Sequence, residues 1–402
     1  MLQAMNATSS PRPLDGVTVL ALEHAVAAPV CTRHLADQGA RVIKVERPGV
    51  GDFARGYDQR VRGQSSYFVW ANRSKESLTL DVKHPQAQPV LQALVARADV
   101  LVQNLAPGAA ARLGLSYDTL APKHPRLVVC DISGYGDDGP CRDKKAYDLM
   151  VQAEAGLLAA TGSGDTMARA GFSAADVSAG MYAYSSVLSA LLLRQRTGTG
   201  SRVDVAMLET LAEWMGNPMY YTFDGQPPAI RSGASHPSIA PYGPVTLSDG
   251  HTLLLGVQNE REWQRFCAQV LGEPALAEDL RFINNTQRTV HRAVLDEKIA
   301  ASFAGLGVAD AETRLSRAGI AHARVNSPAA LWQHPQLRSR CRWTEVSTPA
   351  GSVPALLPPG SNNRYTPRMD GVPALGQHTA ALLGELGYSP TQVTSLRDSG
   401  VV

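Results

Sequence analysis

The sequence predicts an α/β protein: a Rossmann-like doubly wound domain with a parallel sheet, followed by a smaller α+β domain. Three observations carry this. Through about residue 140, short apolar runs rich in β-branched residues alternate with longer helical patterns, the order of repeated βαβ units. Those runs lack a polar face, as strands covered on both sides do. The texture then changes at "DGQPPAIRSGASHPSIAPYGPVTLSDG" (224–250), whose Pro, Gly and Ser mark a long loop into a separate unit.

The elements follow in order. "VTVLAL" reads as a strand, "VCTRHLADQGA" as a helix closed by Gly39, and "RVIKVER" as the next strand. The pattern repeats with the strand "ESLTLDV", the helix "PQAQPVLQALVARA", the strand "DVLVQNL", a short helix over 109–113 and the strand in "RLVVCDISGYG". A helix over 177–196 leads into "RTGTGSRVDVAMLETLAEWM", a turn, a strand and another helix. Beyond the loop, "HTLLLGV" is a strand and "EREWQRFCAQVL" an amphipathic helix. The expected layout is a disordered extension over 1–13, a large domain over 14–224, a small domain over 225–345, and a segment over 346–402 that returns to the large domain and ends in the helix "HTAALLGEL".

Composition excludes several classes. A chain of 402 residues, 44% hydrophobic and 18% charged, can bury a sizeable core. A formal net charge of +2 without blocks of like charge argues against nucleic acid and anionic membranes as partners. No apolar run approaches the roughly 20 residues of a membrane-spanning helix, and the N-terminus has no signal-peptide pattern, so a cytoplasmic location is expected. The five scattered cysteines fit reduced thiols. Cys31 on a helix and Cys130 in a strand read as inert core thiols.

Known site patterns are missing. The first βα turn, "EHAVAAPVC", has no glycine, so the G-x-G-x-x-G dinucleotide fingerprint is absent, and there is no Walker A sequence. The histidines show no ligand spacing, so no metal is expected, and no G-x-S-x-G elbow occurs. What stands out is a lone carboxylate, Asp176 in "SAADVSAGMY", just ahead of a long apolar helix. As an N-cap it would accept hydrogen bonds from backbone N–H groups one turn on. It could also be a nucleophile, because small neighbours leave room for a ligand and a helix N-terminus stabilises its charge. The two roles can coexist.

Several motifs in order resemble the class III CoA-transferases, typified by formyl-CoA transferase and carnitine CoA-transferase. They are the stretch from "PLDGVTVLALEHAVAAPV" to "RVIKVERPGVGDFARG" (13–56), "NRSKESLTLDVKHP" (72–85), "ADVLVQNLAPGAAARLGLSYDTL" (98–120), "ISGYGDDGP" (132–140), "RTGTGSRVDVAMLET" (196–210) and "LGQHTAALLGELGY" (375–388). The resemblance implies that Asp176 is the nucleophile, passing through an aspartyl anhydride and an aspartyl-CoA thioester. It implies CoA contacts at His24, Val26, Ala27, Arg47, Leu80, Lys83, Asn104, Leu105, Arg112 and Lys145, with Tyr147 and Asp148 beside the thioester. CoA thioesters would be substrates, with no tightly bound cofactor and no metal. It also implies an interlocked homodimer.

Two departures bear on substrate. Formyl-CoA transferase has glutamine where this chain has Val26, and a glycine run over its active site that this chain lacks, which argues against formate or oxalate. The wording of the first motif is most similar to the branch that moves CoA from succinyl-CoA to small dicarboxylic acids such as malate, citramalate, itaconate or mesaconate. Arg231 and His236, in "IRSGASHPSIAPYG", could engage the distal carboxylate or only pin their loop. The alternatives are an α-methylacyl-CoA racemase, which places histidine where Tyr147 precedes Asp148, and a CoA-binding protein without turnover.

Overall fold

The computed structural model describes residues 11–402. Of the extension expected over 1–13, residues 1–10 lie outside the described residues. From Arg12 onward the chain is tied down: the Arg12 amide donates to Asp15 Oδ2 at 2.7 Å, and its Nε donates to the Thr366 carbonyl at 3.0 Å. The chain divides into two compact units. The first comprises the chain up to Gly156, Ala170–Gly216 and Leu337–Val402; the second comprises Leu157–Arg169 and Asn217–Gln336. The change in composition suggested boundaries at 225 and 346, so the observed ones fall earlier, and 157–169 leaves the large domain. The cause is backbone pairing that composition does not register: Gly233 N donates to Gly162 O at 2.8 Å, and Gly164 N to Arg231 O at 3.1 Å.

The first unit is built on six parallel strands: β1 (Thr18–Leu22), β2 (Arg41–Glu46), β3 (Lys75–Thr79), β4 (Val100–Gln103), β5 (Val128–Ser133) and β6 (Arg202–Ala206). They lie in the order β3-β2-β1-β4-β5-β6. The order reverses between β1 and β4, the switch point beyond whose carboxyl ends doubly wound sheets bind ligands. One face of the sheet packs Leu20, Leu22, Ile43, Val45, Leu78, Leu101 and Val129 with helix α2 (Ala87–Arg97) and the C-terminal segment. That segment holds the expected helix at Thr379–Glu385 and a second at Pro390–Asp398, where Ser389 and Gln392 form a reciprocal capping box.

Helix α1 (Ala27–Asp37), nearly all buried, packs against α4 (Ala174–Thr197). Their approach depends on Gly180. A Cβ there would lie 2.6 Å from the Ala27 carbonyl oxygen and 3.0 Å from Val30 Cβ. Glycine therefore lets the start of α4 sit beside the start of α1, at the carboxyl end of β1. Helix α3 (Asp148–Glu154) and helix α5 (Met207–Trp214) also pack on α4.

The second unit carries a three-stranded antiparallel sheet of Ala321–Arg324, Thr252–Gly256 and Tyr242–Thr246, over a core that includes Trp263, Phe266, Phe282 and Phe303. The amphipathic helix expected over 260–271 is α-helical only at Glu260–Arg265 and continues as π-helix through Phe266–Leu271. No helix among the described residues is long and apolar enough to cross a membrane.

Candidate active site

The turn after β1 is fixed from below by buried charge. Lys44 on β2 and Lys75 on β3 are fully buried, as is Glu23 at the end of β1. Lys44 Nζ donates to Asp52 Oδ2 at 2.8 Å, to Glu23 Oε1 at 3.2 Å and to the Glu23 carbonyl at 3.4 Å. Lys75 Nζ donates to Glu23 Oε1, the Pro29 carbonyl and Asn72 Oδ1. Thr32 donates to the other Glu23 oxygen. Two carboxylates and two ammonium groups thus balance, which lets them stay ionised away from water. Asp52 Oδ1 accepts from Ala25 N at 2.9 Å, and Ala25 has φ 61°, a left-handed conformation that a side chain disfavours. The network holds that strained residue in place.

Above it, His24 and Asn104 join the two switch-point strands. His24 N donates to Asn104 Oδ1, and Asn104 Nδ2 donates to the His24 carbonyl, each at 2.9 Å. The His24 ring lies 4.7 Å from the Phe53 ring, and the Arg47 guanidinium lies over Phe53, 5.0 Å from its ring centre. Burial holds the His24 imidazole below its usual range. This shelf of ring and cation is suited to an anion attached to a flat aromatic group.

The other expected CoA contacts divide by exposure. Lys83, Arg112 and Lys145 are exposed cations, and Leu105 is half-buried. Val26 and Ala27 are each 2% exposed and Leu80 is 1% exposed, with Val26 and Leu80 packed into apolar clusters. These three can meet a ligand through their backbone, not through an apolar side-chain shelf. Cys31 and Cys130 are buried, and burial pushes both thiols up, away from the thiolate.

Asp176 is not the cap of its helix. Helix α4 begins three residues earlier than expected, so Asp176 is its third residue and Ser173 its N-cap, with no side-chain bond from Ser173. Asp148 supplies the bonds instead: its Oδ1 accepts from Ala175 N at 2.8 Å and from Asp176 N at 3.2 Å. Burial raises the Asp176 carboxyl from 3.8 to about 7, and the neighbouring Asp148 charge adds to the rise. Tyr57 faces the same place; burial raises its hydroxyl, as do the charges of Asp52 and Asp176. Tyr147 is 68% exposed.

A carboxyl whose folded-state pKa lies above its unfolded one is protonated in the fold where the unfolded chain is already ionised. It favours folding least once both are ionised. Wild-type stability should therefore fall relative to Asp176→Asn as pH rises from about 4 to about 7, with a level difference above that range. Urea midpoints of both proteins between pH 4 and 9 check this; a difference that does not change with pH contradicts the raised carboxyl.

Arg231 and His236 belong to the second unit. Arg231 Nε donates to Gly164 O at 2.8 Å and its Nη1 to Ala159 O at 3.0 Å, and His236 stacks on Tyr242 with ring centres 5.3 Å apart. Of the two roles open to Arg231, these bonds are those of loop pinning. Sequence reasoning missed Phe53, Tyr57 and Asp52. The signal was "GDFARGYD" (51–58), where a carboxylate and two aromatic residues follow a glycine turn.

A family model described as CoA-transferase family III matches residues 14–379. The chain is 33% identical over 401 residues to the succinyl-CoA:glutarate CoA-transferase of Mus musculus, covering 98% of this chain and 91% of that protein. It is 32% identical over 409 residues to the succinyl-CoA:D-citramalate CoA-transferase of Chloroflexus aurantiacus, covering 99% of this chain and all of that protein. A solved CaiB/BaiF family protein from Brucella suis superposes with a TM-score of 0.83 at 32% identity, over 94% of this chain and 100% of that one.

Proposed function

The chain belongs to CoA-transferase family III, and we propose that it moves CoA from succinyl-CoA to a small dicarboxylic acid, with Asp176 as nucleophile. The observation that carries the reading is Asp176 itself: a half-buried carboxylate held at the carboxyl end of the sheet, whose raised pKa reflects desolvation and a neighbouring charge, with no hydrogen bond to its oxygens among the described residues. Such a group is poorly solvated and therefore reactive once ionised.

The steps balance without redox chemistry or net proton transfer. The Asp176 carboxylate attacks the donor thioester carbonyl, the C–S bond breaks, and the CoA thiolate leaves a mixed anhydride. The thiolate attacks the aspartyl carbonyl of that anhydride, releasing the donor acid and leaving an aspartyl-CoA thioester. The acceptor carboxylate attacks this thioester, and the returning thiolate takes the acceptor acyl group, restoring Asp176. His24, Arg47, Lys83, Asn104, Leu105, Arg112 and Lys145, with backbone at Val26, Ala27 and Leu80, are proposed to hold CoA, and Tyr147 to line the thioester.

The racemase alternative needs a second proton-transfer group, and Asp148 is poorly suited because three N–H donors already engage its carboxylate. Relatives named for glutarate and D-citramalate support a dicarboxylic acceptor. A panel of glutarate, malate, citramalate, itaconate, mesaconate, oxalate, acetate and butyrate, assayed with succinyl-CoA, tests the assignment. Longer dicarboxylates should exceed the monocarboxylates by at least about tenfold in kcat/KM, the value of one extra charged contact. Equal use of acetate would overturn the acceptor class while leaving CoA transfer intact.

An interlocked homodimer is part of the same proposal. Leu192 and Leu193 on α4, 60% and 52% exposed, are apolar surface of the kind a subunit interface covers. Sedimentation at micromolar concentration should show a dimer that does not dissociate on dilution, because threaded chains separate only by unfolding. A reversible monomer contradicts it.

A further inference from the structure

We propose that Asp148 is a positioning residue for the nucleophile: it caps helix α4 from outside, occupying the backbone amides nearest Asp176 and keeping the Asp176 carboxylate unbonded. The inference rests on Asp176 being the nucleophile.

A helix start leaves backbone N–H groups without partners, and a carboxylate in the first turn is a ready acceptor for them. Here Ser173, at the N-cap, makes no such bond. The amides of Ala175 and of Asp176 itself go to Asp148 Oδ1 instead, so the acceptor comes from α3, 27 and 28 residues upstream of them. Asp148 is in turn held by Gln152. Gln152 is fully buried; its Nε2 donates to Asp148 Oδ2 at 2.6 Å, while its Oε1 accepts from Ala170 N at 3.2 Å. Both Asp148 oxygens are therefore engaged, and one buried amide ties α3 to the segment that enters α4.

The arrangement puts a second negative charge beside the nucleophile. The other elements packed around this end of α4 do not offset it: α1 presents the Ala27 backbone and Val30 to Gly180, α5 presents Thr210 to Ser178, and the segment before β3 presents Tyr57. Asp148 and Tyr57 are the titratable groups that face Asp176 among the described residues. A like charge raises the pKa of its neighbour, so removing it should lower that of Asp176.

The test uses the full-length protein labelled with ¹³C at aspartate carboxyl carbons, the Asp176 signal being assigned by its loss in Asp176→Asn. In Asp148→Asn, which keeps an acceptor oxygen and removes the charge, Asp176 should titrate about one pH unit lower than in wild type. The acid limb of the pH profile of its single-turnover acylation by succinyl-CoA should move down equally. Asp148→Ala, which lacks both oxygens, should slow acylation more than about tenfold, the rate equivalent of losing roughly one charge-assisted hydrogen bond. An unchanged Asp176 titration in Asp148→Asn would overturn the proposal, as would full-speed acylation in Asp148→Ala. Should the Ala variant fail to fold, the Asn titration decides alone. If wild type forms no adduct at Asp176, the nucleophile reading fails, and the carboxyl titration still reports whether Asp148 governs that site.

Discussion

Replacing Asp176 by Ala is expected to remove CoA exchange, by about 10⁴-fold or more, while CoA binding stays within about threefold of wild type. The size follows from the proposed role: without the carboxylate neither the anhydride nor the enzyme thioester of that mechanism could form, and no other described carboxylate stands in its place, since Asp148 is engaged by three donors. The fold should not suffer. Asp176 caps nothing, the amides at the start of α4 remain bonded to Asp148, and a half-buried charge beside another is removed. Wild type incubated with succinyl-CoA and then hydroxylamine should yield a modified Asp176 by mass spectrometry, and the variant none. Retention of a tenth of wild-type exchange in the Ala protein, with no modification at position 176, would place the nucleophile elsewhere.

The largest effect on stability is expected from Lys44→Met. Lys44 is fully buried between Glu23 and Asp52, and methionine fills similar volume without a charge or a donor. It leaves Asp52 buried without its ion-pair partner and Glu23 with Lys75 alone, and breaking a buried ion pair from one side costs about 3 to 5 kcal/mol. The urea midpoint should drop accordingly. CoA binding should weaken as well, because Asp52 holds the left-handed Ala25 turn between His24 and Val26. Glu385→Ala is the contrast: its partner Arg41 keeps Glu76, both sites are partly exposed, and the expected loss is below about 1 kcal/mol. A Lys44→Met protein with the wild-type midpoint would mean that the network contributes nothing to the fold.

The parallel sheet was legible because its strands are buried on both faces, which forces apolar, β-branched runs that stand out from the helices between them. The candidate nucleophile, Asp176, was legible as a single charge among small residues. Its surroundings were less so. "SPTQ" at 389–392 holds a capping box and thus a helix start, but lies after a segment already read as the chain's last helix. Leu80 and Val26 sit in motifs that suggested ligand contact, and only their burial separates backbone from side-chain roles.

By itself the sequence determined the βα order, the position of Asp176 at the start of a long helix and the resemblance to the class III CoA-transferases, because periodicity and local residue type record what each segment buries. Tertiary structure alone decided what depends on partners distant in the chain. It set Asp148 rather than Asp176 as the cap of α4, because hydrogen bonds follow proximity in space and not sequence separation. It closed the Glu23, Lys44, Asp52 and Lys75 network, four charges that each look like solvated surface until three strands and a loop bring them together out of water. It also engaged Arg231 with the carbonyls of residues 159 and 164, since a guanidinium binds whichever acceptors the fold places within reach.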